Sequence, residues 1–504
     1  MAVGGGGGGG GANEFQPHPI KEQLPGVDFC VSSTPNWPEA ILVGFQHYLV
    51  MIGTIVIIST IIVPLMGGGN VEKAEVINTF LFVAGINTLL ETSFGARLPV
   101  VTTASYAFLI PGHFYCLVEQ RFKQSMRAVQ GALIVSSFVQ MIFGFFGFWR
   151  IFARFLSPLA AVPFVTLTGL GLFSLGFPQY VPSIISSKRV AFHRFAVLLS
   201  IVIVWVYAEI LTAAGAYDRR PVATQTSCRT DRSGLISAAR WIKVPYPFQW
   251  GRPTFNAGEA FAMMGSAFVA IVESTGVYIA ASRYGSATHV PPSVLSRGVG
   301  WQGIGTLLFG IFGAGSGATA SVENAGLLGL TRVGSRRVIQ IAAGFMLFFS
   351  VLGKFGAVLA SIPLPIVAAL FCVLFAYVAA AGLALLQYCN LNSFRLKFIL
   401  GFSLFMGLSV PQYFNEYLLI SDHGPVHTRS IWFNDFVQVI FSSPATVAAI
   451  VAFLLDSTFS RGHSSTHRDS GRHWWEKFRY YHQDVRSEEF YALPYKLNRF
   501  FPSF

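Results

Sequence analysis

Long apolar segments recur along almost the whole chain, and they constrain its fold more than any other feature of the sequence. Of the 504 residues, 53% are hydrophobic and only 12% are charged, whereas soluble domains carry about 25% charged residues. A helix needs about 20 apolar residues to cross a bilayer. The sequence therefore predicts an all-α polytopic membrane protein with about thirteen spans. These are 41–63, 76–94, 100–117, 131–149, 159–177, 195–214, 260–281, 299–312, 314–330, 338–352, 358–380, 398–410 and 437–455.

The net charge of +12 does not indicate a nucleic-acid-binding protein. Lys and Arg lie in the connections between apolar segments, which is the pattern of the positive-inside rule, and the sequence contains no basic–aromatic nucleic-acid module. The five cysteines stand apart without a C-x-x-C pair, so neither a metal site nor a disulfide scaffold is indicated. With no nucleophile–base pair in the sequence either, an enzyme is not expected.

Two of the predicted spans, 100–117 and 314–330, are short and rich in small or polar residues. Irregular backbone at membrane depth is tolerated only where it lines a cavity or is buried in protein. The two segments occupy corresponding positions in the two halves of the chain, which is the best sequence pointer to a transporter built from inverted repeats. Half-helix N-termini meeting near the midplane would direct backbone N–H groups at a substrate. The alternative is two loops between ordinary helices.

Glu273 is a carboxylic acid in the middle of the apolar segment 260–281. An ionisable residue inside the membrane is a functional-site hypothesis by default, because burying its charge is expensive. Since the charged form of a carboxyl is disfavoured away from water, such a group can gain and lose a proton as water reaches it. The alternative is a purely structural buried carboxyl.

Glu323 and Asn324 stand side by side in the second broken segment. Together they offer hydrogen-bond acceptors and donors, which match the N–H and C=O groups of a heterocyclic amide such as uracil or xanthine. The alternative is that they cap the half-helix that follows.

Weaker candidates lie in the first span and in the first broken segment. His47 follows Gln46 in the first span, and a lone intramembrane histidine is more often structural than a ligand. Tyr106 is a plausible stacking platform for a planar ring, although aromatic residues make up 15% of the chain.

These residues resemble the signature of the nucleobase–ascorbate transporter family (nucleobase:cation symporter-2 type), and flanking stretches resemble its plant members. The signature begins with Gln, Glu or Pro, then Asn, any residue and Gly; after four further residues come Thr and a basic residue or Gly. Residues 323–332 match it in full, with Glu323, Asn324, Gly326, Thr331 and Arg332.

Further parts of the chain fit the same family. These are Gln46-His47 in the first span, Ser105-Tyr106 in the third and Glu273 in the eighth. The resemblance implies fourteen segments in two inverted repeats of seven, with a core domain that moves against a gate domain. It places the core in 40–149 and 259–354, and the gate in 150–258, which includes the polar loop 215–258, and in 355–456. Residues 1–39 are expected to be a disordered Gly-rich region, and residues 457–504 a charged and aromatic tail.

The resemblance also implies a function. This is proton-coupled uptake of a nucleobase (uracil, xanthine, uric acid, adenine or guanine) across the plasma membrane by an elevator-like mechanism. The implied partners are the substrate, membrane lipid and a second copy of the chain, with no nucleic acid and no cofactor or metal besides the coupling proton. By position, the substrate-binding residues would be Glu273, Glu323, Asn324, Tyr106, Ser105, Gln46 and His47.

One stretch departs from the family. Residues 158–187 number 30, too few for two spans of about 20 residues with a turn between them. The sequence therefore predicts that the sixth segment, which belongs to the gate, is deleted, unless a re-entrant stub returns the chain. Two alternative functions stay open: an ascorbate transporter of the same fold, which Glu323 disfavours because the animal ascorbate carriers have Pro there, and a non-transporting form that dimerises with intact relatives.

Overall fold

The computed structural model describes a chain that is almost entirely helical. Among the described residues, six helices are long and apolar enough to cross a membrane, and a seventh span is formed if one sharply bent helix pair is counted as a unit. Two three-residue strands form a small sheet. The described residues are 24, 26–109, 122–154, 156–173, 195–221, 225, 228–230, 239–360, 362–389, 391–421, 423–459, 485–494 and 497–498.

The first half of the chain begins with two long helices and then breaks. A short strand and a 3₁₀ turn (Tyr106–Phe108) follow them, before the helices resume. The elements are α1 (Trp37–Leu65), α2 (Asn70–Ser93), β1 (Thr102–Ala104), α3 (Phe122–Phe145), α4 (Phe148–Arg154), α5 (Pro158–Leu170) and α6 (Ala196–Ala213).

The second half repeats this order of two helices, a strand and a short helix. The elements are α7 (Ala257–Tyr284), α8 (Pro292–Phe312), β2 (Ala318–Ala320), α9 (Val322–Thr331), α10 (Arg336–Val351), α11 (Gly353–Ala360), α12 (Leu364–Ala384), α13 (Phe394–Ser421), α14 (Ile431–Phe441), α15 (Pro444–Thr458) and α16 (Val485–Tyr491).

The two broken segments pair with each other. Strand β1 runs antiparallel to β2, with Thr102 opposite Ala320 and Ala104 opposite Ala318. Each strand thereby supplies the hydrogen-bond partners that the other lacks at membrane depth. The sequence predicted the two breaks but not that they form one sheet.

The packing of the helices repeats between the halves. Helix α3 of the first half packs on α7 and α8 of the second half, and α10 of the second half packs on α1 and α2 of the first half. Equivalent helices of the two halves therefore make equivalent contacts. The antiparallel pairing of β1 with β2 relates the two halves in the same way. The fold consists of two inverted repeats whose first helices, α1–α3 and α7–α10, form one packed group. We call it the core group.

A second group of helices packs alongside, and we call it the gate group. Helix α5 contacts α12, α13 and α15, and α13 packs on α15. The two groups meet where α9 packs on α12 and where α7 packs on α14.

Some predicted spans differ from the observed helices because of local sequence signals. The predicted span 437–455 is two helices, α14 and α15, bent by 82°. Ser443 caps α15 by accepting a hydrogen bond from the Thr446 N–H (3.4 Å), and Pro444 stands at its first position, where proline favours a new helix. The predicted span 358–380 likewise begins later, at Leu364, directly after Pro363. The second part of the stretch with the predicted deletion, residues 174–187, lies outside the described residues.

Described segments near both termini contact the core group at one place. The predicted N-terminal boundary, residue 39, falls inside α1, and Asp28 N–H already donates to the Arg332 carbonyl (3.0 Å). In the C-terminal region, Arg336 Nη2 donates to the Phe490 carbonyl (2.8 Å) and Arg297 Nη2 to the Tyr491 carbonyl (3.0 Å). The described part of the tail therefore packs on the core group, although it follows the gate group in sequence.

Candidate functional site

The site is built around the beginning of α9. Ser321 is the N-cap of this helix, and its hydroxyl accepts hydrogen bonds from Asn324 N (3.2 Å) and Asn324 Nδ2 (2.9 Å). The same hydroxyl donates to Glu323 Oε2 (2.8 Å). Ser321 N–H is itself held by the Val101 carbonyl (2.8 Å) of the other broken segment. Ser321, rather than Glu323 or Asn324, is therefore the N-cap of α9, and its hydroxyl hydrogen-bonds to both of those side chains.

His47 joins the first helix to this arrangement. Its Nδ1 lies 2.8 Å from Asn324 Oδ1. Since the amide oxygen is an acceptor, Nδ1 carries a proton and donates. The other ring nitrogen, Nε2, is buried and has no hydrogen-bond partner among the described residues. Gln46, the preceding residue, is fully buried as well.

Tyr106 and Thr54 present further polar groups. The hydroxyl oxygens of both residues are buried and make no hydrogen bond of good geometry in the described part of the chain, and Thr54 lies beside both Tyr106 and Glu323. Tyr106 lies close enough to Glu323 for the two side chains to interact electrostatically. An unpaired polar group away from water costs about 1–3 kcal/mol, so a cluster of such groups is typical of a binding site.

Glu273 lies on α7 and connects the two helix groups. Its Oε1 accepts a hydrogen bond from Ser443 Oγ (3.3 Å), and Ser443 caps α15 of the gate group. Glu273 also interacts electrostatically with Glu323. The structure thus brings together both predicted carboxyl groups, one on a half-helix and one at the boundary between the groups.

The remaining predicted residues support the backbone of the site. Ser105 caps the 3₁₀ turn by accepting from Ala107 N–H (3.2 Å), and its carbonyl accepts from Ser316 Oγ (2.9 Å). Thr331 Oγ1 donates to the Leu327 carbonyl (2.8 Å) inside α9. Arg332 ends that helix in a left-handed conformation with φ of 59°. These residues hold the site in place.

Gly326, also part of the signature, allows a close approach between the groups. A Cβ atom added at this position would lie 2.1 Å from the Leu374 carbonyl oxygen on α12. The glycine is therefore needed for α9 of the core group to pack directly against the backbone of the gate group.

Sequence reasoning missed Ser321, Thr54 and Ser443. Ser321 carried a signal, because a serine three residues before Asn324 has the spacing of an N-cap. Ser443 also had a signal in the sequence, because it stands directly before Pro444 and proline is favoured at the first position of a helix. No sequence signal marked Thr54, because the hydroxyl of a threonine inside an apolar helix ordinarily donates to a carbonyl of the same helix.

A fold of inverted repeats with long apolar helices, in which two broken segments meet at buried polar groups, defines a polytopic membrane transporter. The comparisons agree. A model described as "Permease family" matches residues 38–181 and 173–416. The chain is 66% identical to nucleobase-ascorbate transporter 4 of Arabidopsis thaliana, covering 98% of this chain and 99% of that protein. It is 56% identical to nucleobase-ascorbate transporter LPE1 of Zea mays, covering 98% and 99%.

The chain belongs to the nucleobase–ascorbate transporter family. Among solved structures, it is similar to the transmembrane domain of a cyanobacterium bicarbonate transporter, BicA, with 13% identity and a TM-score of 0.40, covering 84% of this chain and 98% of that one.

The same comparisons bear on the shortened stretch. The two matches to the family model meet and overlap at residues 173–181. The alignment with the first Arabidopsis relative spans 521 positions, more than the 504 residues of this chain. Relative to that protein, this chain therefore lacks residues.

We expect Gly326→Ala to abolish transport or prevent stable assembly. The added methyl group clashes with the Leu374 carbonyl, and overpacking of this kind costs about 1–3 kcal/mol or more. The measurement is surface expression and substrate uptake in a transport-deficient host. Gly344→Ala on α10 is the matched control, because nothing lies within 4 Å of its added Cβ. Equal behaviour of the two variants would contradict the close packing of α9 on α12.

Proposed function

We propose that the protein is a secondary active transporter that takes up nucleobases together with protons. The observation that carries the proposal is a group of buried polar atoms beside Glu323 whose hydrogen-bonding capacity is not fully used in the described part of the chain: the hydroxyls of Tyr106 and Thr54 and Nε2 of His47. A nucleobase presents a rigid edge of N–H donors and C=O acceptors. The site offers it a carboxylate, hydroxyls and a ring nitrogen, which match both kinds of group.

The roles follow from the chemistry of each side chain. Glu323 accepts hydrogen bonds from the N–H groups of the base, and the N-terminus of α9 favours the partial negative charge of a base carbonyl. Tyr106 stacks on the planar ring. Asn324 is held by His47 and Ser321, so these two residues fix the shape of the site.

Glu273 is the proposed site of coupling. Its carboxyl lies between the core group and the gate group through the contact with Ser443. A charged carboxylate holds this contact strongly and is costly to move through an apolar boundary, whereas the protonated form is uncharged. Proton binding would therefore ease the elevator-like movement of the core group along the gate group.

The substrate, the coupling ion, the homodimer and the plasma membrane belong to this proposal. The family's relatives are named for both nucleobases and ascorbate. Glu323 supports the nucleobase side, because a carboxylate acceptor suits the N–H groups of a base better than the anionic ring of ascorbate. Competition by ascorbate in the uptake assay separates the two.

A second candidate function is supported by the shortened stretch. The junction of the family matches at 173–181 lies in the region where the sequence predicts a lost gate span. A chain without that span would bind substrate in its core group but move it poorly, and would act as a non-transporting partner of intact relatives.

We expect Glu273→Gln to reduce proton-coupled uptake by about tenfold or more, a barrier change of ~1.4 kcal/mol. The amide still accepts from Ser443 but cannot bind and release a proton. Uptake is measured against external pH at matched surface expression. Glu259→Gln, in the first turn of the same helix, is the control and should retain the original pH dependence. An unchanged pH profile in Glu273→Gln would exclude the coupling role.

We expect Asn324→Ala to weaken the apparent affinity about five- to hundredfold and to alter the order of preference among bases, since buried partners left unpaired cost about 1–3 kcal/mol. The measurement is radiolabelled uptake with competition by each base. Glu323→Pro should shift the profile most strongly. Ser350→Ala, on α10 and with a hydroxyl bonded within that helix, is the control. A competition profile that is identical in all variants would place the binding site elsewhere.

We expect weak or absent uptake by the chain as it stands, and rescue when about 20 apolar residues are inserted between Gln179 and Tyr180. The insertion restores the missing span and the sidedness of everything after it. Accessibility labelling of Cys228 reports that sidedness. A Gly/Ser-rich insertion of equal length is the control, because it cannot span a bilayer. Full uptake by the uninserted chain would show that the short stretch suffices.

A further inference from the structure

A cavity lies between the two helix groups, next to the candidate site but separate from it. Its volume is about 320 Å³. The core group and α4 contribute one wall, and the gate helices α5 and α15 contribute the other. The lining includes Trp149, Phe152, Phe268, Phe164, Ala449 and Phe453.

The polar groups in the cavity walls are bonded to one another. Trp149 Nε1 donates to Thr275 Oγ1 (3.0 Å), and Thr275 Oγ1 donates to the Ile271 carbonyl (2.8 Å). Thr446 Oγ1 donates to Ser443 Oγ (3.0 Å). An internal water needs two to four polar partners, and these walls present carbon instead. The cavity therefore does not suit water or a polar ligand.

The rim of the cavity is open and apolar. Phe152 and Leu454 line it and are themselves 54% and 51% exposed, on helices of a polytopic membrane protein. The volume is about twice that of an engineered 150 Å³ cavity that admits benzene. A helix of a second copy, about 10–12 Å across, is too wide to enter such a space. A single flexible hydrocarbon chain fits the chemistry, the size and the opening.

We propose that this cavity binds one acyl chain of a membrane lipid. The chain lies between the core group and the gate group, against carbon on both sides. Burial of apolar surface contributes little here, because the chain leaves one hydrocarbon medium for another, so the gain comes from packing against the aromatic walls.

The position gives such a lipid a defined place relative to the candidate site. Val272 and Thr275 flank Glu273 on α7, and Thr446 follows Ser443 by three residues on α15. The acyl chain therefore lies against the same two helices that the Glu273–Ser443 contact joins. Under the proposed function, movement between the groups has to rearrange or displace this chain.

The test is quenching of tryptophan fluorescence by phosphatidylcholine with brominated acyl chains. The full chain is reconstituted into vesicles with and without the brominated lipid. Bromine quenches on contact, and Trp149 is 7% exposed, so it is quenched efficiently when an acyl chain occupies the cavity. The chain contains nine tryptophans, and the difference between the original protein and Trp149→Phe isolates the contribution of Trp149.

We expect a quenched component that disappears in Trp149→Phe. Ala449→Phe, which keeps Trp149 but fills the cavity, should lose most of that component. Leu383→Phe is the control, since Leu383 lies on α12 and is already exposed, and it should leave the component intact. Because Ala449→Phe retains the Trp149–Thr275 bond, it keeps the test valid if Trp149→Phe folds poorly.

Two results would overturn the proposal. If Trp149 contributes no quenching, the cavity is empty or filled by protein, whether by another segment of this chain or by a second copy. If Ala449→Phe leaves the Trp149 component unchanged, the bromine reaches Trp149 from outside the cavity. The readout does not involve uptake, so failure of the lipid site and failure of the proposed function are distinguishable.

Discussion

The structure depends on one constraint: a backbone group inside a bilayer must find its hydrogen-bond partner within the protein. The broken segments satisfy it by pairing β1 with β2 and by recruiting side chains of the surrounding helices. Gln302 Nε2 donates to the Ala318 carbonyl (2.9 Å), and Thr306 Oγ1 accepts from Ala318 N–H (3.0 Å). A polar interior is thereby created among apolar helices, and the carboxyl groups of Glu273 and Glu323 are tolerable only beside it.

The same constraint explains why one serine is so central. Ser321 lies where β2 ends and α9 begins, so its backbone belongs to the strand pairing and its side chain to the helix cap. Its hydroxyl donates its single proton to Glu323 and accepts hydrogen bonds from Asn324. The side chains of the proposed site are thus oriented by the same residue that closes the break, and Asn324 in turn hydrogen-bonds to His47 on α1.

The sequence could predict the parts of this site that contrast with their surroundings. Glu273, Glu323 and Asn324 are visible because acids and amides are rare in apolar segments. The pairing of the breaks, the partner of His47 and the contact of Glu273 with Ser443 join residues far apart in the chain, and no local pattern encodes them. Gly326 is recognisable in the sequence as part of the signature. A glycine is needed there because the backbone of α12 approaches so closely, and this is evident only from the packing.

The inverted repeat also determines what the shortened stretch can damage. The main contacts of the core group run between the halves, α2 with α10 and α3 with α8, and none of these helices includes a residue of the stretch 158–187. Helix α6, which follows the short stretch, lies at the periphery and touches α1 and α12. Its apolar side chains Ile203, Tyr207 and Ile210 are 65%, 61% and 59% exposed, a surface that either lipid or a neighbouring helix can cover. Together with the proposed function, the predicted deletion implies an asymmetry: the residues assigned to substrate binding are assembled, whereas the gate group would be thinner on one side.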